Sequence, residues 1–202
     1  ISYAQRLDGR PLMHTAVRIA TVGYALPGAV LAVGVVAVTS AVDHGWIALG
    51  QWLDAHWTPL LGGTVVTMLI AYTIRFLVVA FGPIQTALAR VTPRMDEAAQ
   101  SLGETQYGVL RRIHLPLLRP ALFAAAALVF IDILKELPIT LMTRPFGWET
   151  LATRIFELTN DGRWKEAALP ALAVTLAGTL PAWFLAKEVT HPTSAHTRET
   201  PC

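Results

Sequence analysis

The sequence predicts an all-α, polytopic membrane fold with four spanning helices, and three observations carry that reading. Of the 202 residues, 53% are hydrophobic and only 15% charged, with a mean hydropathy of +0.48, a balance that ordinary water-soluble domains do not have. Four apolar stretches approach or exceed the roughly 20 residues needed to cross hydrocarbon with every backbone polar group satisfied internally. Lysines and arginines sort between the connecting segments in the way that fixes the direction of a multi-pass chain.

In order along the chain, the expected spans are about 16–42, 60–81, 117–134 and 167–186. Pro27 and Gly28 interrupt the first. Pro170 and Pro181 lie near the ends of the fourth, where neighbouring helices can satisfy freed carbonyls. Arg6, Arg10 and Arg18 precede or enter the first span, Arg90, Arg94, Arg111, Arg112 and Arg119 surround the middle loop, and Lys187 and Arg198 follow the last. The loop from Asp43 to Pro59 has no lysine or arginine, and the loop from Pro138 to Glu166 balances Arg144, Arg154, Arg163 and Lys165 with four carboxylates. Both termini and the middle loop are therefore expected on the cytoplasmic side. Trp46, Trp52, Trp57, Trp148 and Trp164 fall in or beside the two outer loops, as indoles at a headgroup layer do. Trp46, Leu49, Leu53 and Trp57 recur at helical spacing, as do Trp148, Leu151, Ile155 and Leu158. Each set predicts a short amphipathic helix, either lying along the membrane surface or packed against the spans.

The middle loop, 83–116, is a polar device in an apolar chain. Thr92 and Pro93 read as a helix start, with a hydroxyl at the N-cap and proline at the first helical position. Asp96 and Glu97 sit near the positive end of that helix, Ala98 and Ala99 permit close backbone approach, and Gly103 stops it. A second helical stretch, about 106–113, leads to Leu115 and to Pro116, which opens the third span.

The run EAAQSLGETQYGVLRRIHLP, residues 97–116, resembles the cytoplasmic loop of permease subunits of binding-protein-dependent ABC importers: EAA, three residues, Gly, nine residues, then I-x-L-P. Glu97, Ala98, Ala99, Gly103, Ile113, Leu115 and Pro116 occupy those places. The resemblance implies a MetI-like helical bundle in the bacterial inner membrane. Its coupling helix, with Asp96 and Glu97 toward basic groups, would sit in a groove of a separate ATPase subunit. It further implies a periplasmic or extracellular substrate-binding protein and a second permease half or subunit as partners, besides membrane lipid. ATP and Mg would reside on the partner ATPase; no cofactor is expected on this chain, which has no GxxxxGK[ST] pattern.

Four ionisable residues within or beside the spans are candidates for the translocation path or gate. Arg75 lies in the inner half of the second span, where its stem can snorkel toward the cytoplasmic headgroups, the favoured reading, or reach a carboxylate on another helix. Asp132, Lys135 and Glu136, at helical spacing toward the outer end of the third, would share a face and pair locally, either lining the path or merely ending the helix.

The stretches 24–34, 72–77 and 132–158 most resemble the ferric-iron branch of this importer family, whose relatives include thiamine, putrescine, sulfate and phosphonate permeases. That branch joins two homologous halves in one chain. One coupling loop, four spans and a start at Ile1 lead us to expect the C-terminal part of a second half, covering residues 1–190 and followed by a flexible cytoplasmic tail over 191–202. No resident metal site is expected: ferric iron prefers oxygen ligands, and His44 and His56 have neither metal spacing nor a carboxylate cluster. A net charge of +2, spread between apolar segments, sets nucleic acid aside. Ser40, Ser101 and the six histidines offer no nucleophile-and-base cluster, so an enzyme is not expected. The rival of another class is an ion-coupled secondary transporter using Arg75 and Asp132. The lone Cys202 excludes an intrachain disulfide and any CxxC motif.

Overall fold

The computed structural model describes residues 24–190. The expected start of the first span, the arginines before it, and the tail 191–202 with Cys202 lie outside the described residues. Among the described residues the regular elements are all helical: α1 (Gly28–Trp52), α2 (Val65–Arg90), α3 (Pro93–Ser101), α4 (Gln106–Val109), a π-helical turn (Leu110–His114), α5 (Leu115–Leu134), α6 (Pro138–Thr143), α7 (Leu151–Asn160) and α8 (Trp164–Thr190). Four helical segments are long and apolar enough to cross a membrane: Gly28–Trp52, Val65–Arg90, Gln106–Leu134 and Trp164–Lys187. The third is α4, the π turn and α5 in one rod, so Pro116 lies within a continuous helix and does not open a new one.

α1 differs from the expected first span. Pro27 caps it from the extended region (φ −55°, ψ 135°), and the helix then runs ten residues past Val42. Asp43, which reads as the start of an outer loop, is instead buried within this helix. Its carboxylate accepts backbone N–H bonds from Leu60 (2.9 Å), Leu61 (3.0 Å) and Gly62 (2.6 Å). Those donors would otherwise be unpaired where the returning chain turns into α2, so one side chain pins the loop to the helix. Trp46 and Leu49 belong to α1 itself, while Trp57 lies beyond it and stacks on Trp46 at 4.1 Å between ring centroids. Gly50 makes room for that ring: a Cβ there would stand 2.8 Å from the Trp57 indole. No separate surface helix forms in this loop; Trp57 packs back on the extension of the span.

α2 likewise begins later and ends later than expected, running through Pro83 to Arg90. In the second outer segment, α7 starts at Leu151 behind a reciprocal cap. Thr150 Oγ1 accepts from the Thr153 N–H and Thr153 Oγ1 accepts from the Thr150 N–H, which leaves Trp148 outside the helix. α7 packs on α8, with Leu158 buried, which is the packed alternative of the two expected for this segment.

The core joins α1, α2 and α6 through Leu31, Ala32, Val35, Met68, Ala71, Tyr72, Phe76 and Ile139, with Val129 and Ile133 of α5 packed against it. α8 packs on α5 and α7 but exposes Leu169, Leu172, Leu176 and Leu180, a stripe suited to hydrocarbon and costly in water.

Candidate functional site

Two regions gather the residues singled out by sequence. The first is the segment between α2 and α5. α3 follows Thr92, which is extended (φ −79°, ψ 149°) but makes no side-chain cap, so the expected hydroxyl bond is absent and proline at the first turn carries the start. Glu97 and Ala98 are exposed on this helix, whereas Ala99 is buried, so only one of the adjacent alanines is open to a partner. Gly103 has φ +86°, the left-handed region that glycine enters without a Cβ penalty. Just past it, Thr105 Oγ1 caps α4 by accepting the Gly108 N–H (3.1 Å). Leu102 and Tyr107 stand exposed on either side of the turn.

Asp96 does not present its carboxylate only to the outside. Its Oδ1 lies 2.6 Å from Nε2 of His114, eighteen residues on in the chain. His114 is completely buried, in the π turn at the base of α5. A π turn inserts an extra residue into a helix and is frequent where a side chain must be re-aimed. Ile113 precedes this histidine and is half-buried, while Leu115 and Pro116 follow it and are exposed. The contact had a readable signal, the only histidine in the polar loop, but its partner could not be found by spacing.

The second region lies inside the bundle. Arg75 does not snorkel. Its Nε is 3.3 Å from Glu136 Oε2, and its Nη1 donates to the Leu26 carbonyl at 2.8 Å. Glu136 is buried, and its Oε1 accepts the Ile139 N–H at 3.2 Å. A Cβ on Gly28 would lie 3.0 Å from that same oxygen. The expected shared face for Asp132, Lys135 and Glu136 holds only in part. Lys135 Nζ pairs with Asp132 Oδ1 at 2.8 Å, but α5 ends at Leu134 and Glu136 turns away from both.

The level of this cluster along the bundle follows from helix geometry. Arg75 is ten residues into α2, about 15 Å along its axis. Glu136 stands beside Arg75, while Thr140 hydrogen-bonds Tyr72, three residues nearer the start of α2. α5 therefore ends at the level of Arg75, and α6 continues along α2 toward its start. α1 begins at a comparable level, since the Leu26 carbonyl just before it is held by the same arginine. Two helix ends thus meet at one Arg–Glu pair, and the open backbone groups are met by side chains: Leu26 by Arg75, Ile139 by Glu136, and the Glu136 carbonyl by the Thr140 hydroxyl at 2.8 Å. Irregular backbone at membrane depth is tolerated only with such partners, and it is where transporters tend to handle solute.

Among the described residues, no three His, Cys, Asp or Glu side chains converge as a metal-holding group. A multi-pass helical bundle with a charged helix–glycine–helix loop at one end has the form of a membrane transport subunit. The chain belongs to the family described as binding-protein-dependent transport system inner membrane component, whose model matches residues 1–187; these are permeases of ABC importers of the inner membrane. It is 28% identical over 164 residues to an Fe(3+)-transport system permease protein, FbpB 2, of Haemophilus influenzae, covering 81% of this chain and 29% of the relative. Similarity to the putative 2-aminoethylphosphonate transport system permease protein PhnV of Salmonella typhimurium is 34% over 138 residues, 68% of this chain and 51% of the relative. The sulfate transport system permease protein CysT of Escherichia coli is 30% identical over 181 residues, 87% of this chain and 61% of the relative. The chain therefore spans from under a third to about three-fifths of these relatives.

Proposed function

We propose that this chain forms part of the transmembrane pathway of an ATP-driven importer that takes ferric iron from an external binding protein into the cytoplasm. ATP and Mg would be held and consumed by a separate ATPase subunit, and a second permease half or subunit would complete the pathway. The observation that carries the reading is the loop between α2 and α5: a short helix exposing Glu97 and Ala98, ended by Gly103 at φ +86° and joined to the long rod of α5. An exposed acidic turn followed by a small residue suits a groove lined by basic groups, and the glycine fixes the angle at which the helix is presented. Asp96, Glu97, Ala98, Ala99, Gly103, Ile113, Leu115 and Pro116 are the proposed coupling residues. Arg75 and Glu136, with Asp132 and Lys135 beside them, are the proposed gate or path lining. The pairing of Arg75 with Glu136 where α1 starts and α5 ends supports this, because parting them would free both helix ends at once.

Ferric iron rests on the likeness of this chain to an iron permease along 81% of its length. An anionic solute is the second reading, favoured by the higher identity to a phosphonate permease. Uptake by the complete assembly with its cognate binding protein, in vesicles offered labelled ferric iron, 2-aminoethylphosphonate and sulfate in turn, separates them. ATP-dependent iron uptake supports the first reading. Uptake that follows a proton or sodium gradient without ATP removes the importer reading itself.

A further inference from the structure

The loop contains a connection that its motif does not describe. α3 is joined to α4 through the turn 102–105, where Gly103 is left-handed and backbone bonds run from the Gly103 N–H to Gln100 (2.9 Å) and from the Glu104 N–H to Ala99 (3.1 Å), and a helix held by such a short turn alone can still swivel about it. A swivelling helix would absorb an applied displacement without passing it on. Among the described residues one side-chain pair crosses this joint. Asp96 pairs with His114 at 2.6 Å on the inner side, where the imidazole is completely buried and the carboxylate mostly so. Glu104 also pairs with Arg112, but both follow Gly103, so that exposed and solvent-screened contact lies wholly beyond the joint.

We infer that the Asp96–His114 pair is the rigid link that carries displacement of α3 into α5, bypassing the glycine joint. Asp96 is then a positioning residue acting inside this chain, in addition to any contact it makes with a partner. The π turn at Leu110–His114 belongs to the same device, since it lies at the point where His114 enters the interior of the rod base. The inference rests on the coupling reading proposed above, and the two can fail separately.

The test uses the complete transporter with its ATPase and binding protein in proteoliposomes, the probe being whichever of ferric iron, 2-aminoethylphosphonate or sulfate the unaltered assembly imports. The quantity read is solute imported per ATP hydrolysed. Asp96→Ala and His114→Ala are each expected to lower that ratio at least fivefold, with the double variant no worse than either single one. His114→Gln, whose amide can still donate to Asp96, is expected to keep more than half of it, and Arg112→Ala to stay within twofold of the unaltered protein. All variants are expected to reach the membrane and copurify with the ATPase in ordinary yield. Unchanged ratios in both alanine variants, while Glu97→Lys and Gly103→Pro uncouple, overturn the link and leave the coupling reading standing. Full coupling in Glu97→Lys and Gly103→Pro removes the coupling reading beneath it. Loss of the alanine variants from the membrane makes the pair a folding contact and also overturns the link.

Discussion

Arg75 of α2 and Glu136, two residues past the end of α5, meet at 3.3 Å, and the same guanidinium holds the Leu26 carbonyl before α1. One side chain thereby joins the start of α1 to the end of α5. Removing one member leaves the other charge buried without compensation, whereas exchanging the two keeps the pair. Arg75→Ala and Glu136→Ala are each expected to cost about 3 kcal/mol. Thermal unfolding in detergent reads the loss, and the exchanged double variant Arg75→Glu/Glu136→Arg should recover part of it. Equal stability of the single variants and the unaltered protein would place no weight on the pair.

Tyr72 and Thr140 tie α6 to α2 near the outer side of that junction. Both are buried, and Thr140 is wholly so. Tyr72→Phe leaves the ring in the core and takes away only the hydroxyl, so the expected cost is about 1 kcal/mol. The same unfolding measurement checks it, and Thr140→Val on top of Tyr72→Phe should add less than it does alone, because the two share one bond.

Gly103→Pro and Glu97→Lys act on the other end of the bundle. Gly103 adopts φ +86°, which proline cannot, and Glu97 is exposed on α3. Both variants are expected to insert and to bury the intramembrane core normally, but to lose most uptake while ATP is still hydrolysed. Uptake and hydrolysis measured side by side in vesicles check this, and full uptake by both variants contradicts it.

The sequence carried the class of fold because hydrocarbon imposes a length and a composition on whatever crosses it, and each of the four long helices overlaps one of the four apolar stretches. Helix ends were less legible. Asp43 reads as a loop residue by charge, yet three backbone donors satisfy it and α1 continues to Trp52. Arg75 reads as a snorkelling residue because its partner lies sixty-one positions away, beyond any local periodicity. Asp132 and Glu136 have helical spacing, but the helix ends between them, and spacing alone does not reveal a break. The loop motif, by contrast, is local in sequence, so its helix and its glycine turn were legible there. The inward turn of Asp96 onto His114 was not, because it depends on how α3 folds back on the rod.

The central claim is that α3 is the element through which an ATPase acts on this membrane bundle. Ala98 is exposed, small, and next to Glu97, so a cysteine placed there in a Cys202→Ser background reports directly on it. In the assembled transporter, Ala98→Cys is expected to cross-link to the ATPase subunit, with a yield that changes between ATP-bound and nucleotide-free states. Labelling of that cysteine only from the outer face of the membrane, with no cross-link in either state, contradicts the account.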